Sequence, residues 1–279
     1  MNKIKIITDS TADLPKDIID KYNIEVLPLL VNFGEDTYRD GIDINLHELL
    51  KKIKAGPYFP TTSQVNPQAF IECYDRYLKQ GYKIISIHLS SKLSGTYQSA
   101  CIAKETLETE DIVVIDSLNA TAGVGLLVIK AAKLREQGLE LLEIHKEIKE
   151  LIPHVKSAIA FDTLDNLVKG GRLSKTAGVV GNMLGIKPII AVENGEVIIK
   201  NKVRGSKKAI RTILDYIENK GIKENETTAL LHVENKDILG SLREELVKRN
   251  GNFIEVEAGC VIGVHAGEGA CGLFFIEDH

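Results

Sequence analysis

IKIITDSTADLP, at residues 4–15, joins a short β-branched run to a polar loop and then to a helix start. Residues 4–8, which are β-branched except for Lys5, are typical of a buried first strand, and Asp13-Leu14-Pro15 indicates the beginning of a helix. The same order of strand, polar loop and helix recurs through the first half of the chain. It predicts a parallel sheet with right-handed crossovers.

Further strands and helices continue this alternation. Strands are predicted at residues 24–31, 82–89 and 113–115. Helices are predicted to begin at Asn66-Pro67 and at Ser94-Gly95-Thr96, and a charged helical stretch covers residues 139–151. The helices therefore begin just after strands or the loops that follow them.

Beyond Pro153 the pattern changes to an α+β character. Strands are predicted at residues 155–161, 229–233, 253–257 and 272–276, and helices at residues 207–219 and 238–249. Residues 170–185 are rich in glycine, and Asn194-Gly195 suits a type I′ hairpin turn. Because 279 residues exceed a usual single domain, we predict two domains, residues 1–154 and 155–279, with a cleft between them.

Composition argues against several classes of partner and compartment. A formal net charge of −4 gives no electrostatic reason to expect nucleic acid or an anionic membrane surface. No apolar stretch approaches the ~20 residues of a membrane span, and the N-terminus is unlike a signal peptide. The four cysteines lie far apart without C-x-x-C spacing. We expect a reduced, cytoplasmic protein.

Familiar cofactor motifs are missing or misplaced. Gly267, Gly269 and Gly272 formally match G-x-G-x-x-G, but they precede the last predicted strand and do not lead into a helix. The chain has no G-x-x-x-x-G-K-[ST] motif, and its histidines lack paired metal spacing. We expect no cofactor and no metal.

Three hydroxyl-rich segments lie near the ends of predicted strands. They are DST at residues 9–11, PTTSQ at residues 60–64 and SSKLSGT at residues 90–96. Serine and threonine before a helix are usually N-caps, yet three such loops, with Gly95 permitting close approach of the backbone, favour an anion site. Ligands of open parallel sheets bind beyond the carboxyl ends of the strands. We therefore expect the three loops to face one pocket.

Two further segments carry candidate polar groups. His265 lies among small residues in VIGVHAGEGA, residues 261–270, and the glycines favour a tight backbone path that aims the ring at a ligand. Glu268 is either an orienting partner for that ring or a solvated carboxylate. GGRLSK at residues 170–175, with Lys169, is either a solvated turn or a phosphate clamp or docking point.

Five segments together resemble the DegV family. They are ITDSTADL at residues 7–14, PTTSQ at 60–64, LSGTY at 93–97, GRLS at 171–174 and GVHAG at 263–267. Each is short, but they span nearly the whole chain in the family's order. The resemblance implies an N-terminal parallel α/β/α sheet domain and a C-terminal α+β domain with a mixed sheet, which enclose a long-chain fatty acid between them.

The resemblance also implies roles for particular residues. Thr62 and Ser94 would hydrogen-bond the carboxylate, with His265 nearby from the second domain and Gly95 beside them. Whether Thr61 or Thr62 faces the ligand stays open, and Ser91 competes with Ser94. Ser10 is a possible supporting residue, and Arg172 would lie near the mouth, where a kinase docks.

Some members of the family are binding subunits of bacterial fatty acid kinase. A separate ATP-binding subunit phosphorylates the bound carboxylate to an acyl phosphate. The resemblance thus implies a carrier that is not itself the enzyme, that has no catalytic residue, and whose partners are a fatty acid and a kinase. It implies neither nucleic-acid binding nor stable membrane insertion.

Two other functions remain open on the residues alone. A serine hydrolase could use Ser94, His265 and Asp9, because such triads occur in several chain orders, but Ser94 is not in a G-x-S-x-G elbow. A carrier of a small carbonyl compound such as dihydroxyacetone could use His265.

Overall fold

The computed structural model describes residues 3–56, 58–174, 185–249 and 251–279. Its strands are β1 (Lys3–Asp9), β2 (Glu25–Leu27), β3 (Leu30–Phe33), β4 (Asp36–Arg39), β5 (Thr61–Ser63), β6 (Tyr82–His88), β7 (Ile112–Asp116), β8 (Val155–Ala160), β9 (Ile186–Glu193), β10 (Glu196–Arg204), β11 (Thr228–His232), β12 (Phe253–Glu257) and β13 (Cys271–Ile276). Its helices are α1 (Lys16–Lys21), α2 (Leu46–Ala55), α3 (Pro67–Leu78), α4 (Thr96–Leu107), α5 (Ala122–Glu136), α6 (Leu141–Leu151), α7 (Asp165–Lys169), α8 (Ser206–Lys220), α9 (Lys236–Lys248) and α10 (Cys260–Ala266). No helix among these residues is long and apolar enough to cross a membrane.

The first half of the chain forms a four-stranded parallel sheet in the order β2-β1-β6-β7. The parallel pairing confirms the parallel sheet predicted from the alternation of strands and helices. Its central strands are buried on both faces, as Ile6 and Ile7 on β1 and Ile84 and Ile85 on β6 show. Continuous burial of this kind is typical of parallel strands covered by helices on both sides.

The strand predicted at residues 24–31 is divided between two sheets. β2 joins the parallel sheet, whereas β3 pairs antiparallel with β4 and β5 in a three-stranded small sheet, in the order β4-β3-β5. Pro28 separates β2 from β3 and has no N–H to donate to a ladder. The small sheet was not predicted, and it turns the PTTSQ segment from an expected loop into the strand β5.

The second half forms a six-stranded mixed sheet in the order β10-β9-β8-β13-β11-β12. Only β11 and β12 are parallel neighbours. Asn194 and Gly195, with φ of 50° and 82°, connect β9 to β10 as the predicted type I′ turn requires. Every strand of the mixed sheet follows residue 154. The domain boundary at 154/155 itself stays a prediction.

Helix α5 packs between the parallel sheet and the mixed sheet. It is buried almost all round, which is expected of an apolar helix in the centre of a protein. Gly123 and Gly125 allow this close packing, because a Cβ at Gly123 would lie 3.0 Å from the Phe274 ring and one at Gly125 would lie 2.8 Å from the Ala12 carbonyl. The residues that lead into α5 are thereby fixed against the mixed sheet.

The segment around His265 is a helix, α10, and not the tight glycine-rich path that was expected. The glycine-rich stretch at residues 170–185 is described only up to Ser174 and again from Gly185. The predicted cation Lys175 lies outside the described residues.

Candidate functional site

A cavity of about 360 Å³ lies between the small sheet, the loop after β6 and one face of the mixed sheet. We call it the site cavity. Most of its lining is apolar. Its polar lining residues are Thr62, Ser63, Gln64, Ser94, Thr121, Arg172 and His265.

The floor of the site cavity crosses five neighbouring strands of the mixed sheet. Its apolar side chains are Val197 of β10, Ile190 and Val192 of β9, Ile159 of β8, Phe274 of β13 and Leu231 of β11. Four steps between adjacent strands, at about 4.8 Å each, give a floor about 19 Å wide. This shape suits an elongated apolar ligand better than a compact one.

Thr62 and His265 meet at the wall of the site cavity. Thr62 Oγ1 lies 2.9 Å from His265 Nε2, although the two residues are 203 positions apart in the chain. β5 carries Thr62 and α10 carries His265, so this contact joins the two halves of the chain. Thr61 is exposed and does not line the cavity.

His265 is neutral at physiological pH. Burial, together with the nearby positive charge of Arg172, lowers the pKa of its imidazole to about 4. Nδ1 is buried without a hydrogen-bond partner among the described residues and faces Gly170, where a Cβ would lie only 2.3 Å away. A buried N–H without an acceptor is rarer than a buried acceptor without a donor. The proton therefore belongs on Nε2.

This tautomer decides what Thr62 can offer a ligand. With the proton on Nε2, His265 donates to Thr62 Oγ1. The threonine hydroxyl then keeps its own hydrogen for another acceptor. The pair presents a neutral, oriented donor to the site cavity.

Glu268 does not orient the imidazole. Its carboxylate forms an ion pair with Lys54 Nζ at 2.6 Å, on the protein surface. Of the two interpretations left open for Glu268, the contact with Lys54 of α2 therefore favours the solvated carboxylate.

Ser94 lines the site cavity and also accepts a hydrogen bond from the first residue of α4. Its Oγ accepts from the Thr96 backbone N–H at 3.3 Å and lies 3.0 Å from Thr96 Oγ1. The structural and functional interpretations of this serine are thus compatible. Ser91 is exposed and outside the cavity, where its backbone N–H donates to Asp116.

Gly95 brings the Ser94 loop against β5. A Cβ at this position would lie 2.1 Å from Gln64 Oε1, so a larger residue would displace the glutamine. Gln64 in turn donates to Ser99 Oγ at 2.9 Å. The two hydroxyl-bearing segments of the site are therefore held together through Gln64.

Arg172 lines the site cavity beside His265. Its Nε donates to the Leu93 carbonyl at 3.1 Å and its Nη1 to the Gly170 carbonyl at 2.6 Å. Partial burial lowers the pKa of the guanidinium from its usual value, which still leaves it charged. Arg172 is the one cationic side chain along the described lining.

The first of the three hydroxyl-rich loops does not face the site cavity, contrary to expectation. Ser10 Oγ donates to Asp40 Oδ2 at 2.8 Å and accepts from the Leu29 backbone N–H at 3.1 Å. It therefore lies behind Leu29, which itself lines the cavity. The carboxylate of Asp9 is buried against His88, 2.9 Å from Nδ1.

Two carboxylates that the sequence did not indicate as site residues anchor the helix of His265. Asp13 Oδ1 accepts from the Gly259 N–H at 2.9 Å, and Asp40 Oδ1 accepts from the Cys260 N–H at 2.7 Å. Burial raises the pKa of both carboxyl groups above the usual value. Among the described residues, no group of histidine, cysteine or carboxylate side chains is arranged to hold a metal ion.

Comparisons with known proteins agree with this architecture. A model of the DegV family, described as uncharacterised protein, DegV family, matches residues 3–278. The chain belongs to the DegV family. A DegV domain-containing protein of Clostridium acetobutylicum is 60% identical over 279 residues, the full length of both chains.

Solved structures of DegV proteins share the fold. A DegV family protein from Thermus thermophilus, described as binding fatty acid, has a TM-score of 0.91 at 32% identity and covers 99% of this chain and 100% of its own. DegV of Bacillus subtilis, described as a fatty acid binding protein, has a TM-score of 0.88 at 32% identity and covers 100% of both chains.

Proposed function

We propose that the protein binds a long-chain fatty acid in the site cavity, with the carboxylate at Thr62, Ser94 and His265. The observation that carries this proposal is the neutral Thr62–His265 pair at the wall of an elongated apolar cavity. The fatty-acid-binding DegV relatives support the same ligand class.

The apolar floor supplies most of the affinity. A palmitoyl tail has over a dozen methylenes at ~0.8 kcal/mol each, which gives roughly 10 kcal/mol of gross transfer free energy. Association and ordering cost about 4–15 kcal/mol. Hydrogen bonds to the carboxylate add about 1.5–3 kcal/mol each, partly offset by desolvation of the anion. The tail therefore sets affinity and the head group sets orientation.

We also propose that the protein presents this carboxylate to a separate ATP-binding kinase subunit. A carboxylate oxygen would attack the γ-phosphorus, ADP would leave, and an acyl phosphate would form. A carboxylate is already nucleophilic and needs no general base, which fits neutral hydroxyls around it. Arg172, beside His265, is placed to balance negative charge near the head group.

The geometry argues against a serine hydrolase. Ser94 contacts Thr96, His265 Nε2 contacts Thr62, and the Asp9 carboxylate contacts His88. The three residues of the supposed triad therefore have three different partners. A Schiff-base site for a small carbonyl compound lacks its amine, since no lysine is among the described residues that line the cavity.

Mass spectrometry of lipids released from the denatured protein tests the proposed ligand. We expect one equivalent of a long-chain acid, and the same acid should rebind after delipidation. Absence of both would contradict the carrier. If the protein hydrolysed acyl-ester reporters and Ser94→Ala abolished this turnover, the hydrolase would be favoured. Saturable binding of dihydroxyacetone would favour the small-carbonyl carrier.

The kinase step needs its own measurement. With an ATP-binding fatty acid kinase subunit, we expect Arg172→Ala to retain fatty acid binding and to lower the rate of acyl phosphate formation. Unchanged kinetics would remove Arg172 from this step. No acyl phosphate from the wild-type protein with any such subunit would contradict the presenting role and leave the binding role intact.

A further inference from the structure

The two central strands of the parallel sheet separate before they end. β1 runs to Asp9 and β6 runs to His88, but the ladder between them stops at the pair of Ile7 with Ser86. Buried backbone N–H and C=O groups are almost always hydrogen-bonded, so the end of β6 needs other partners on this side. The segment that follows β6 carries Ser94 into the site cavity.

Side chains of β1 continue the ladder where its backbone pairs stop. Thr8 Oγ1 donates to the Ile87 carbonyl at 2.8 Å, and Asp9 Oδ2 accepts from the Leu89 N–H at 3.2 Å. Thr8 and Asp9 are both fully buried. Leu89 is the first residue after β6 and lines the site cavity. The start of the Ser94 loop is therefore held by side chains of the neighbouring strand.

The Asp9 carboxylate has no acceptor capacity to spare. Its Oδ1 accepts from the backbone N–H of Thr11 at 3.1 Å and from the Thr11 hydroxyl. Its Oδ2 accepts from His88 Nδ1–H at 2.9 Å as well as from the Leu89 N–H. These four donors fill the lone-pair sites of a carboxylate, which is costly to bury without them. A substitution that removes one oxygen therefore leaves a buried donor unpaired.

His88 is held from its other side by a chain of hydroxyls. Tyr74 Oη donates to Ser86 Oγ at 2.7 Å, which leaves the Ser86 hydrogen for His88 Nε2 at 2.6 Å. The Phe70 ring lies edge-on to the imidazole, with 4.9 Å between ring centroids. All four side chains are buried, and none is among the described residues that line the site cavity. The network can thus act on a ligand only through the loop that it holds.

The loop from Leu89 to Ser94 is a compact turn on this anchor. The Ser90 N–H donates to the Asn119 carbonyl at 2.9 Å. The Ser90 carbonyl accepts from the N–H groups of Leu93 at 2.9 Å and Ser94 at 3.1 Å. Ser90, the residue next to Leu89, therefore holds the backbone of Ser94. A shift of Leu89 moves both serines.

We propose that Thr8 and Asp9 are positioning residues for the fatty acid head group, because they hold the loop that presents Ser94. This inference rests on the proposed function, in which Ser94 contacts the carboxylate. Neither Thr8 nor Asp9 lines the site cavity. They act on the ligand through Ser94, and the polar segment at the end of β1 thereby has a role although it does not face the cavity.

Affinities of the delipidated protein for a free acid and for its methyl ester test this role. We expect Asp9→Asn to weaken binding of the acid several-fold and that of the ester much less, because Ser94 is displaced while the apolar contacts remain. The loss should stay below that of Ser94→Ala, about 10- to 100-fold for one hydrogen bond to a charged group. In the Ser94→Ala protein, Asp9→Asn should cause no further loss of acid affinity, since residues that act through one contact are not additive.

Tyr74→Phe is the matched control. It removes one buried hydrogen bond of the same network and leaves the acceptor of the Leu89 N–H in place. It should keep the wild-type ratio of acid to ester affinity. Thr8→Val covers a failure of Asp9→Asn to fold, because it keeps the shape of the side chain and removes only the bond to the Ile87 carbonyl. It should lower the same ratio by a smaller factor.

Hydrogen exchange measures the anchor without a ligand. We expect the amides of Leu89, Leu93 and Ser94 to exchange about tenfold faster in Asp9→Asn, the effect of one lost hydrogen bond, and at the wild-type rate in Tyr74→Phe. Equal losses for acid and ester, a full further loss in the Ser94→Ala protein, the same changes in Tyr74→Phe, or unchanged exchange in the folded variants overturns the positioning role. Absence of fatty acid binding by the wild-type protein overturns the proposed function instead, so the two failures are distinguishable.

Discussion

His265 holds Thr62 in place without carrying a charge. Its lowered pKa of about 4 keeps the ring neutral, and the hydrogen bond to Thr62 leaves the hydroxyl hydrogen directed to a ligand. A neutral site needs less desolvation in an apolar cavity than a charged one. The guanidinium of Arg172, already bonded to two carbonyls, is the one positive charge along the described lining that can balance a bound anion.

The first prediction concerns the two neighbouring threonines of β5. Thr62→Ala should weaken binding of the free acid by about 10- to 100-fold, the effect of one lost hydrogen bond to a charged group. It should change affinity for the methyl ester of the same acid much less, because the apolar contacts remain. Titration calorimetry with acid and ester separates the two effects.

Thr61→Ala is the matched control, since Thr61 is adjacent but exposed. It should leave both affinities at the wild-type value. Equal losses in the two variants would mean that β5 matters only as a strand and that Thr62 does not contact the head group.

The second prediction concerns the pH dependence of stability. The imidazole of His265 has a pKa near 6.5 when unfolded and about 4 when folded, so the unfolded chain binds the proton first as pH falls. Its contribution is fully present above pH ~6.5 and is lost towards pH ~4, by up to about 3 kcal/mol. Urea unfolding of wild type and His265→Gln over this range measures it.

The comparison with His265→Gln isolates this residue from other titrating groups. Asp13 and Asp40, whose pKa values are raised, act in the opposite direction, because their folded state binds protons more readily. They are present in both proteins and cancel. If the free energies of unfolding of wild type and variant changed equally with pH, folding would not lower the pKa of His265.

The sequence could indicate single site residues but not their partners. The rule that ligands bind beyond the carboxyl ends of parallel strands accounts for Ser94, which follows β6. Thr62 is instead placed by β5 of the small sheet. The roles of Ser10 and Glu268 depend on Asp40 and Lys54, which are brought near by the small sheet and by α2. No local pattern encodes such contacts.

At the scale of elements, α10 shows why local sequence was insufficient. A helix of seven residues with a glycine inside is too short to be stable alone. It forms because the carboxylates of Asp13 and Asp40 accept its first N–H groups from 246 and 220 residues away. Those acceptors belong to the other half of the chain, so the local sequence cannot show them. The glycines of this segment therefore predicted a tight backbone path and not a helix.

The third prediction tests this anchor. Asp40→Ala leaves the Cys260 N–H and the Ser10 hydroxyl without their buried acceptor, and should lower the free energy of unfolding by about 1–2 kcal/mol. It should also speed hydrogen exchange of the α10 amides and weaken fatty acid binding, since α10 carries His265.

Asp17→Ala is the control, because Asp17 is an exposed carboxylate in the first turn of α1. It should change neither the exchange of α10 nor fatty acid affinity. Wild-type exchange of α10 in Asp40→Ala would show that packing alone holds the helix.

At the scale of the molecule, the alternation of strands and helices was enough to predict the parallel sheet. The mixed sheet was implied by the resemblance to the DegV family, whereas the local sequence predicted an α+β character and the Asn194-Gly195 turn. The small sheet could not be predicted, since residues 24–31 look like one β-branched strand and the division at Pro28 depends on what β3 meets. That sheet is what places Thr62 beside His265.

The fourth prediction concerns the junction between the sheets. The hairpin of the mixed sheet reaches the Ser94 loop, where Ser90 Oγ donates to the Gly195 carbonyl at 2.8 Å. The Ser90 carbonyl in turn accepts from the Ser94 N–H at 3.1 Å. Gly195→Ala combines a positive φ of 82° with a Cβ that would lie 2.5 Å from Ser90 Oγ. It should both destabilise the fold and displace Ser94.

Gly34→Ala separates backbone strain from the junction. Gly34 has a φ of +61° in the turn between β3 and β4, and no described atom lies within 4 Å of the place that a Cβ would take. Alanine there therefore meets only the backbone strain of about 1–2 kcal/mol. We expect Gly195→Ala to lose more unfolding free energy than Gly34→Ala and, unlike it, to bind fatty acid several-fold more weakly. Equal unfolding free energies and equal affinities would mean that the hairpin touches the Ser94 loop without positioning it. Unequal values would mean that a single turn of the mixed sheet holds the head-group loop of the parallel sheet.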